Sequence, residues 1–406
     1  MLSLRLVRKL GTASHIAAAT IPSAETAKSV CDKKFSDSVQ EPLELDEPAL
    51  IKLKKERDPD KLFSLFKANA HNKIVVENRF AFEDTVSRLA GAGRFDYIEN
   101  LLEHQKTLPQ GRREGFVIRI IMLYGKAGMI EHAVKTFYDM DLYGCHRTVK
   151  SFNAALMVLT QTHDVEKIES FIRDATLDIK LDVYSLNIVI KTLCETGILD
   201  KAFLVMVEME KTGIQPDVVT YTTLISSSYK SNRCEIGNGL WNLMVLKGCY
   251  PNLATFNARI QFLVNRSRAW DAYKLVILMN SVSITPDEVT YNLLIKGFCR
   301  SGFIGMAKKV FSYLRRRGTE PNIKIYQTMV HYLIKAHDYD VAYEMAKIIM
   351  RENGFPSIET IQRLLEGLQK NGKVDKARFI ILLAKKREPP FSPHHMGILK
   401  SILLES

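Results

Sequence analysis

Gln215-Pro216-Asp217-Val218-Val219-Thr220-Tyr221 returns three times further along the chain. The later copies are Tyr250-Pro251-Asn252-Leu253-Ala254-Thr255-Phe256, Thr285-Pro286-Asp287-Glu288-Val289-Thr290-Tyr291 and Glu320-Pro321-Asn322-Ile323-Lys324-Ile325-Tyr326. Pro216, Pro251, Pro286, Pro321 and Pro356 stand 35 residues apart each time. Self-similarity at a fixed period of ~20–50 residues marks a solenoid, whose units bury their apolar faces only against their neighbours.

Working outward from the proline, the apolar spacing of one period predicts two helices. Tyr221, Leu224, Ile225 and Tyr229 form one stripe, and Ala202, Val205, Met206 and Met209 form the stripe of a second helix that begins near Leu199. Gly197 separates the two helices of its unit, and Gly93, Gly128, Gly302 and Gly372 hold the equivalent place, where a residue tolerant of positive φ ends a helix. A small residue recurs inside the second helix, at Ala133, Ala202, Gly237, Ala272, Ala307, Ala342 and Ala377, and lets the two helices approach closely. Pro216 and its counterparts cannot continue a helix, and the Asp or Asn that follows each is a good N-cap for the next one.

This ruler divides the chain into units at about 79–113, 114–148, 149–182, 183–217, 218–252, 253–287, 288–322, 323–357 and 358–391. The unit from Val149 to Asp182 is one residue short, and the first two lack the proline. The expected organisation is a leader over residues 1–40, a degenerate helical repeat over 41–78 that includes Asp58-Pro59-Asp60, the repeat array over 79–391, and a capping helix within 392–406.

Composition agrees with a repeat array that meets an acidic polymer. The 406 residues carry a net charge of +12, which favours a polyanionic partner. Cys31, Cys145, Cys194, Cys234, Cys249 and Cys299 show no close pairing, and Cys194 and Cys299 recur at one helical position, as small apolar residues do in a reducing compartment. No apolar run reaches the ~18 residues of a membrane span, so no membrane insertion is expected. Met1 to Val30 is different in character: Arg5, Arg8, Lys9 and Lys28 stand among Ala, Ser and Thr, with Glu25 the one acid. That is the composition of an organellar transit peptide, and the leucines around Arg5 and Arg8 favour a mitochondrial one over a plastid one. The leader carries +3, leaving +9 for the rest.

The phrase Pro216-Asp217-Val218-Val219-Thr220-Tyr221-Thr222-Thr223-Leu224-Ile225, the 35-residue period and the Gly and Ala columns resemble the pentatricopeptide repeat proteins of plant organelles, over roughly residues 79–391. Units of one length resemble the pure P-type subclass, which stabilises, processes or helps translate organellar transcripts. The resemblance implies an all-α fold, a right-handed α-solenoid superhelix of about nine to ten 35-residue helix-turn-helix repeats. It also implies single-stranded organellar RNA as partner and no cofactor.

The binding face is expected on whatever the packing leaves free. In the first helix of the unit starting at Glu288, Tyr291, Leu294, Ile295 and Phe298 make the core stripe, while Val289, Asn292, Lys296 and Arg300 share another face. The last residue of that strip is basic in several units, at Lys126, Lys230, Arg300, Lys335 and Lys370, as a phosphate track requires; Gln161, Glu195 and Asn265 interrupt it. The residue after the aromatic is Asn153, Asn187, Thr222, Asn257 and Asn292, each costing roughly 0.5 kcal/mol against Ala inside a helix. An amide or hydroxyl presented there in register suits the Watson-Crick edge of an unstacked base, one base per repeat. The partner column is the last residue of each unit, Asp182, Asp217, Asn252, Asp287 and Asn322, and these are good helix N-caps as well.

Carried over from the family, Asn153 with Asp182, Asn187 with Asp217 and Asn257 with Asp287 each imply U. Thr222 with Asn252 implies A, and Asn292 with Asn322 a pyrimidine, giving 5′-UUAU(C/U). Tyr184, Val219, Ala254 and Val289 would wedge between bases, with Lys324 departing from the family's apolar preference. Glu83, Ile118, Gln327 with Ser357, and Gln362 fit no strong pairing, so the implied readout is five bases, and weaker repeats or RNA structure must add information for a single target.

No catalytic or metal residues are expected. Neither a Gly-rich phosphate loop nor a serine nucleophile elbow occurs, His394-His395 reads as a loop or capping-helix feature, and Asp58 and Asp60 read as part of a solvated face. The expected function is a noncatalytic, sequence-selective RNA-binding protein of mitochondrial RNA metabolism, acting in transcript stabilisation, processing, splicing or translation. The alternative is a structural component of the mitochondrial ribosome or another organellar ribonucleoprotein. RNA-processing proteins are further candidate partners.

Overall fold

The structure is a computed structural model and describes residues 49–175, 179–316, 321–352, 354–386 and 391–402; the expected leader lies outside them. All regular structure among the described residues is helical, and the chain forms two compact units, residues 1–216 and 217–406.

In the first unit, short helices α1 (Ala49–Lys55), α2 (Pro59–Ala68) and α3 (Lys73–Glu77) precede the pairs α4 (Arg79–Gly91) and α5 (Phe95–Thr107), α6 (Glu114–Lys126) and α7 (Ile130–Tyr138), α8 (Val149–Leu159) and α9 (Val165–Ala175), and α10 (Val183–Glu195) and α11 (Leu199–Lys211). The second unit is more regular. Its pairs are α12 (Val218–Lys230) and α13 (Cys234–Leu246), α14 (Leu253–Asn265) and α15 (Ala269–Ser281), α16 (Glu288–Arg300) and α17 (Ile304–Arg316), α18 (Ile323–Lys335) and α19 (Tyr339–Arg351), and α20 (Ile358–Lys370) and α21 (Val374–Lys386). A final helix, α22, covers Pro393–Ser401. Each of the ten paired helices of the second unit is 13 residues long, and each first helix starts 35 residues after the previous one. Constant pitch follows from the packing: a first helix touches its own second helix and the first helix of the next pair, so every unit must offer the same two faces.

The apolar stripes read from the sequence are the buried ones. Tyr221, Leu224, Ile225 and Tyr229 are buried, as are Tyr291, Leu294, Ile295 and Phe298. The small-residue column is fully enclosed, and at Gly237 a Cβ would lie 2.6 Å from Cε1 of Tyr229. Gly197 takes φ 80° at the end of its helix, but His163, Asn232, Ser267 and His337 hold the same place in other units at φ 55–60°. Histidine and asparagine tolerate this left-handed geometry better than most residues, so the glycine column is a preference and not a requirement.

Gly125 supplies a test of the close packing between first helices. It sits on α6 against α8, where an added Cβ would lie 2.4 Å from Cγ2 of Val158 and 3.0 Å from its Cγ1. A valine is held near one χ1 and cannot swing clear, so the helices must separate. Gly125→Ala should therefore cost about 1–2 kcal/mol net, although Ala is the better helix former by roughly 1 kcal/mol. A urea midpoint at or above that of the unchanged protein would show that this contact is slack.

Candidate nucleic-acid interface

The site begins at the helix caps. Asp182, Asp217, Asn252 and Asp287 are the N-caps of α10, α12, α14 and α16, each accepting from the backbone N–H of the third helical residue, which is Ser185, Thr220, Thr255 and Thr290. Asn322 caps α18 in the same way through the Ile325 N–H at 3.1 Å. The capping role read from the sequence is thus real for the whole column. It also fixes where these side chains lie, one at the start of each first helix.

The structure brings the second column to the first. Asn153 Nδ2 donates to Asp182 Oδ1 at 3.3 Å, and Asn257 Nδ2 donates to Asp287 Oδ1 at 3.2 Å. Residues 29 and 30 apart in sequence become one polar pair, because the first helix of a unit lies beside the cap of the next. In the unit that reads differently, Thr222 Oγ1 meets Thr255 Oγ1 at 2.7 Å. The fifth pair is open: Asn292 Oδ1 accepts from Thr328 Oγ1 at 3.1 Å, while Asn322 Nδ2 donates to Glu288 Oε2 at 2.5 Å. The amides are less exposed than the sequence suggests. Asn153 and Asn187 are 6% and 8% exposed, and Thr222, Asn257 and Asn292 are half-buried.

The flanking columns differ in character. Tyr184, Val219 and Val289, at the second position of their helices, are 54%, 56% and 56% exposed, and Ala254 and Lys324 are exposed too. Tyr184 still reaches Met157 Sδ with its hydroxyl at 3.3 Å, whereas Val219 and Val289 leave most of their apolar surface in solvent at one register position. Lys126, Lys230, Arg300, Lys335 and Lys370 end their helices in solvent. Lys126 is engaged by Glu83 at 2.5 Å, and Arg300 donates to Asn265 Oδ1 at 3.4 Å. The departing residues of the end repeats are also occupied, with Gln327 Nε2 donating to the Phe355 carbonyl at 2.7 Å.

Charge is divided between the two units in a way that whole-chain counts conceal. Residues 217–406 hold 27 Lys and Arg against 15 Asp and Glu, whereas residues 1–216 hold 30 against 30. The entire excess of +12 belongs to the second unit, which also holds four of the five basic column residues.

Asp182 and Asp287 titrate below the usual carboxylate range. Burial alone would raise them, but the backbone N–H groups of Ser185 and Thr290 and the amides of Asn153 and Asn257 donate to the charged forms, joined at Asp182 by the Ser185 hydroxyl, and outweigh it. A carboxylate depressed in the folded state stabilises the fold above its unfolded pKa of about 4, and that stability is lost as pH falls through the folded value. Asp287→Asn, which keeps the cap, should therefore make the urea midpoint fall less steeply between pH 6 and acid than in the unchanged protein. Parallel curves would remove the linkage.

Other chemistry is sparse among the described residues. No group of three or more His, Cys, Asp or Glu is placed to hold a metal, and no helix is long and apolar enough to cross a membrane. Burial pushes the Cys299 thiol up to about 12, as expected of an inert core cysteine. Asp58 caps α2, and Asp60 accepts from Arg94 and Tyr97, both at 2.5 Å. His394 and His395 lie in the first turn of α22, capped by Ser392.

Successive two-helix units, each first helix opened by a side-chain cap that in several units meets the first helix before it, define an α-helical repeat protein. A model of the PPR repeat family matches residues 181–230, 216–265, 251–300 and 286–335, and a PPR repeat model matches 119–145. The chain belongs to the pentatricopeptide repeat family. It is 62% identical over 251 residues to the Arabidopsis thaliana pentatricopeptide repeat-containing protein At1g80150, mitochondrial, an alignment that spans 61% of each chain. It is 33% identical over 393 residues to the small ribosomal subunit protein mL103 (rPPR7) of the same plant, covering 96% of this chain and 91% of that one. The crystal structure of the pentatricopeptide repeat protein PPR10 from maize shares the fold, with a TM-score of 0.51 at 19% identity over 85% of this chain and 57% of that chain. The all-α repeat fold expected from the sequence is therefore the fold of the protein.

Proposed function

We propose that this protein is a noncatalytic, sequence-selective binder of single-stranded RNA in mitochondria, of the pure P-type subclass, reading 5′-UUAU(C/U) through Asn153 to Asn322. Its mechanism is occupancy: a bound array holds a transcript segment single-stranded or shields it from exonucleases during stabilisation, processing, splicing or translation. The mitochondrial placement rests on the basic, acid-poor first 30 residues and on the name of the relative at 62% identity. In this reading residues 1–40 are the leader, 41–78 a degenerate repeat, 79–391 the array and 392–406 its cap.

The observation that carries the reading is the Asn257–Asp287 pair at 3.2 Å. It sets an amide N–H donor beside a carboxylate acceptor at the edge of a first helix. Uracil presents the complement, a carbonyl acceptor next to the N3–H donor. Cytosine would bring its N3 lone pair against the carboxylate, and the repulsion between two acceptors costs affinity. Exposed Ala254 and Val289, at the second positions of the two helices that meet there, supply apolar surfaces against which an unstacked base can lie.

A second reading has its own support, since mL103 aligns over nearly the whole chain and is named a ribosomal subunit protein. A structural component of the mitochondrial ribosome would use this surface for shape and charge and would not read bases. Anisotropy titrations with an unstructured RNA containing UUAUC, the same RNA with the core permuted, and the matching DNA decide between them. Base reading predicts a preference of about tenfold or more for UUAUC that persists as a ratio when salt is raised, while phosphate contacts weaken every probe together. Replacing Lys230, Arg300, Lys335 and Lys370 by Gln should flatten the dependence of log affinity on log salt by roughly 0.7 per lost contact, and Lys126→Gln should change it less because Glu83 already neutralises it. Equal binding of all probes would leave the ribosomal reading.

A further inference from the structure

We infer that the hydroxyl at the third position of each following first helix is a positioning element for the base-reading residue, and that Thr290 fixes which end of the Asn257 amide faces the RNA. The inference rests on the reading above and adds to it a residue that never meets the base. Thr290 is 0% exposed, so whatever it does for RNA it does through a neighbour.

Its neighbours are the two columns. Thr290 Oγ1 donates to Asn257 Oδ1 at 2.6 Å, lies 2.8 Å from Asp287 Oδ1, and accepts from the Asp287 N–H at 3.3 Å. The Asp287 carboxylate only accepts, so the nitrogen of Asn257 must turn to it; the hydroxyl proton then finds the amide oxygen. The result is a three-residue lock that holds Nδ2 to Asp287 and Oδ1 to Thr290 and leaves the second Nδ2 hydrogen as the donor for a base. An amide free to flip would present an acceptor half of the time and would pair with the wrong edge of the wrong base.

Three other units act as internal comparisons. Thr255 plays the same part for Thr222, at 2.7 Å. Where serine replaces threonine, Ser185 turns its hydroxyl to Asp182 Oδ1 at 2.7 Å, and Asn153 Oδ1 is left buried with no hydrogen-bond partner. Serine lacks the methyl that stiffens χ1, so its hydroxyl follows the nearer charge. Where Ile325 stands at the third position there is no hydroxyl at all, and Asn292 is held instead from Thr328 while Asn322 turns to Glu288. Loss of the third-position hydroxyl coincides with loss of the paired geometry.

The experiment measures affinity for four RNAs that differ only at the base facing Asn257, using the full chain, Thr290→Val and Thr290→Ser. The expected result is a U-over-C ratio that falls at least threefold in Thr290→Val and falls also in Thr290→Ser, whose hydroxyl should turn to Asp287 as that of Ser185 turns to Asp182 while the cap is kept. Thr290→Val also weakens the cap, and a purely structural role would lower all four affinities together with the ratio unchanged; that outcome overturns the inference. If the unchanged protein prefers no base, it is base reading that fails, and NMR of the free protein then decides the positioning alone. The Asn257 side-chain N–H resonances should show one slowly rotating amide in the unchanged protein and faster rotation in Thr290→Val; identical rates would overturn the lock as well.

Discussion

The double variant Asn257→Thr with Asp287→Asn is expected to exchange U for A at one position of the RNA, with a shift of about tenfold or more in the A-over-U ratio and little change elsewhere. The protein already contains the template: Thr222 with Asn252 is the combination that family resemblance assigns to A, and it sits in the same fold with a threonine at the following third position, as Thr290 does for Asn257. Neither substitution should disturb the helices. Asn is as good an N-cap as Asp and already caps α14 and α18, and Thr and Asn differ little in helix propensity. The site loses a carboxylate acceptor and an amide donor, and with them the complement to N3–H and a carbonyl of uracil. Melting temperature and salt dependence should remain close to those of the unchanged protein. If the variant binds every probe as before, the two columns do not read bases.

Phe298→Ala is expected to have the largest effect on stability, about 3–5 kcal/mol, because it removes a fully enclosed ring and leaves a cavity the surroundings cannot fill. Trp270 stands edge-on to that ring at 5.2 Å and Tyr273 lies 6.1 Å away, so the aromatic cluster between α15 and α16 is what the cavity would disorder. In a repeat array the loss is felt by nearest neighbours first, so urea unfolding followed by circular dichroism should broaden as well as shift to lower concentration. Val289→Ala, one helix face away and 56% exposed, should move the midpoint by no more than about 0.5 kcal/mol, which makes it the matched control. A Phe298→Ala protein within 1 kcal/mol of the parent would mean that α15 and α16 close over the gap.

The repeat fold was legible because the chain repeats its own constraints. Each proline forbids a helix, each Asp or Asn after it starts one, and the stripe from Tyr291 to Phe298 has no other use than burial. The left-handed turn between helices was only half legible. Glycine announces it at Gly197, but Asn232 and Ser267 adopt it under tertiary pressure with no distinctive signal of their own. At the site, the columns could be listed from the sequence, whereas their meeting could not, since Asn257 and Asp287 are 30 residues apart and only the stacking of one first helix on the next brings them to 3.2 Å. The threonine at the third position was invisible for a different reason. Thr290 looks like half of a capping box, and its second bond, to Asn257, depends on that same stacking. The charge division was open to counting but needed the boundary at residue 216 to give the count a meaning.

The short repeat shows where this architecture keeps its freedom. From Val149 to Asp182 one residue is missing, yet α8, the turn at His163 and the start of α9 keep the spacing of their counterparts, and α10 starts 18 residues after α9 where α14 starts 19 after α13. Asn153 and Asp182 still meet, at 3.3 Å across 29 residues, where the full-length repeat manages 3.2 Å across 30. Between the start of one second helix and the next first helix the array therefore has a seam, where one residue fewer leaves the polar pair in place. Unequal crossing-over between copies of the repeat would join at such seams and deliver whole cassettes in register. Gain or loss of a whole repeat at such a point would change the length of the array and leave the pairing within the remaining repeats as it is.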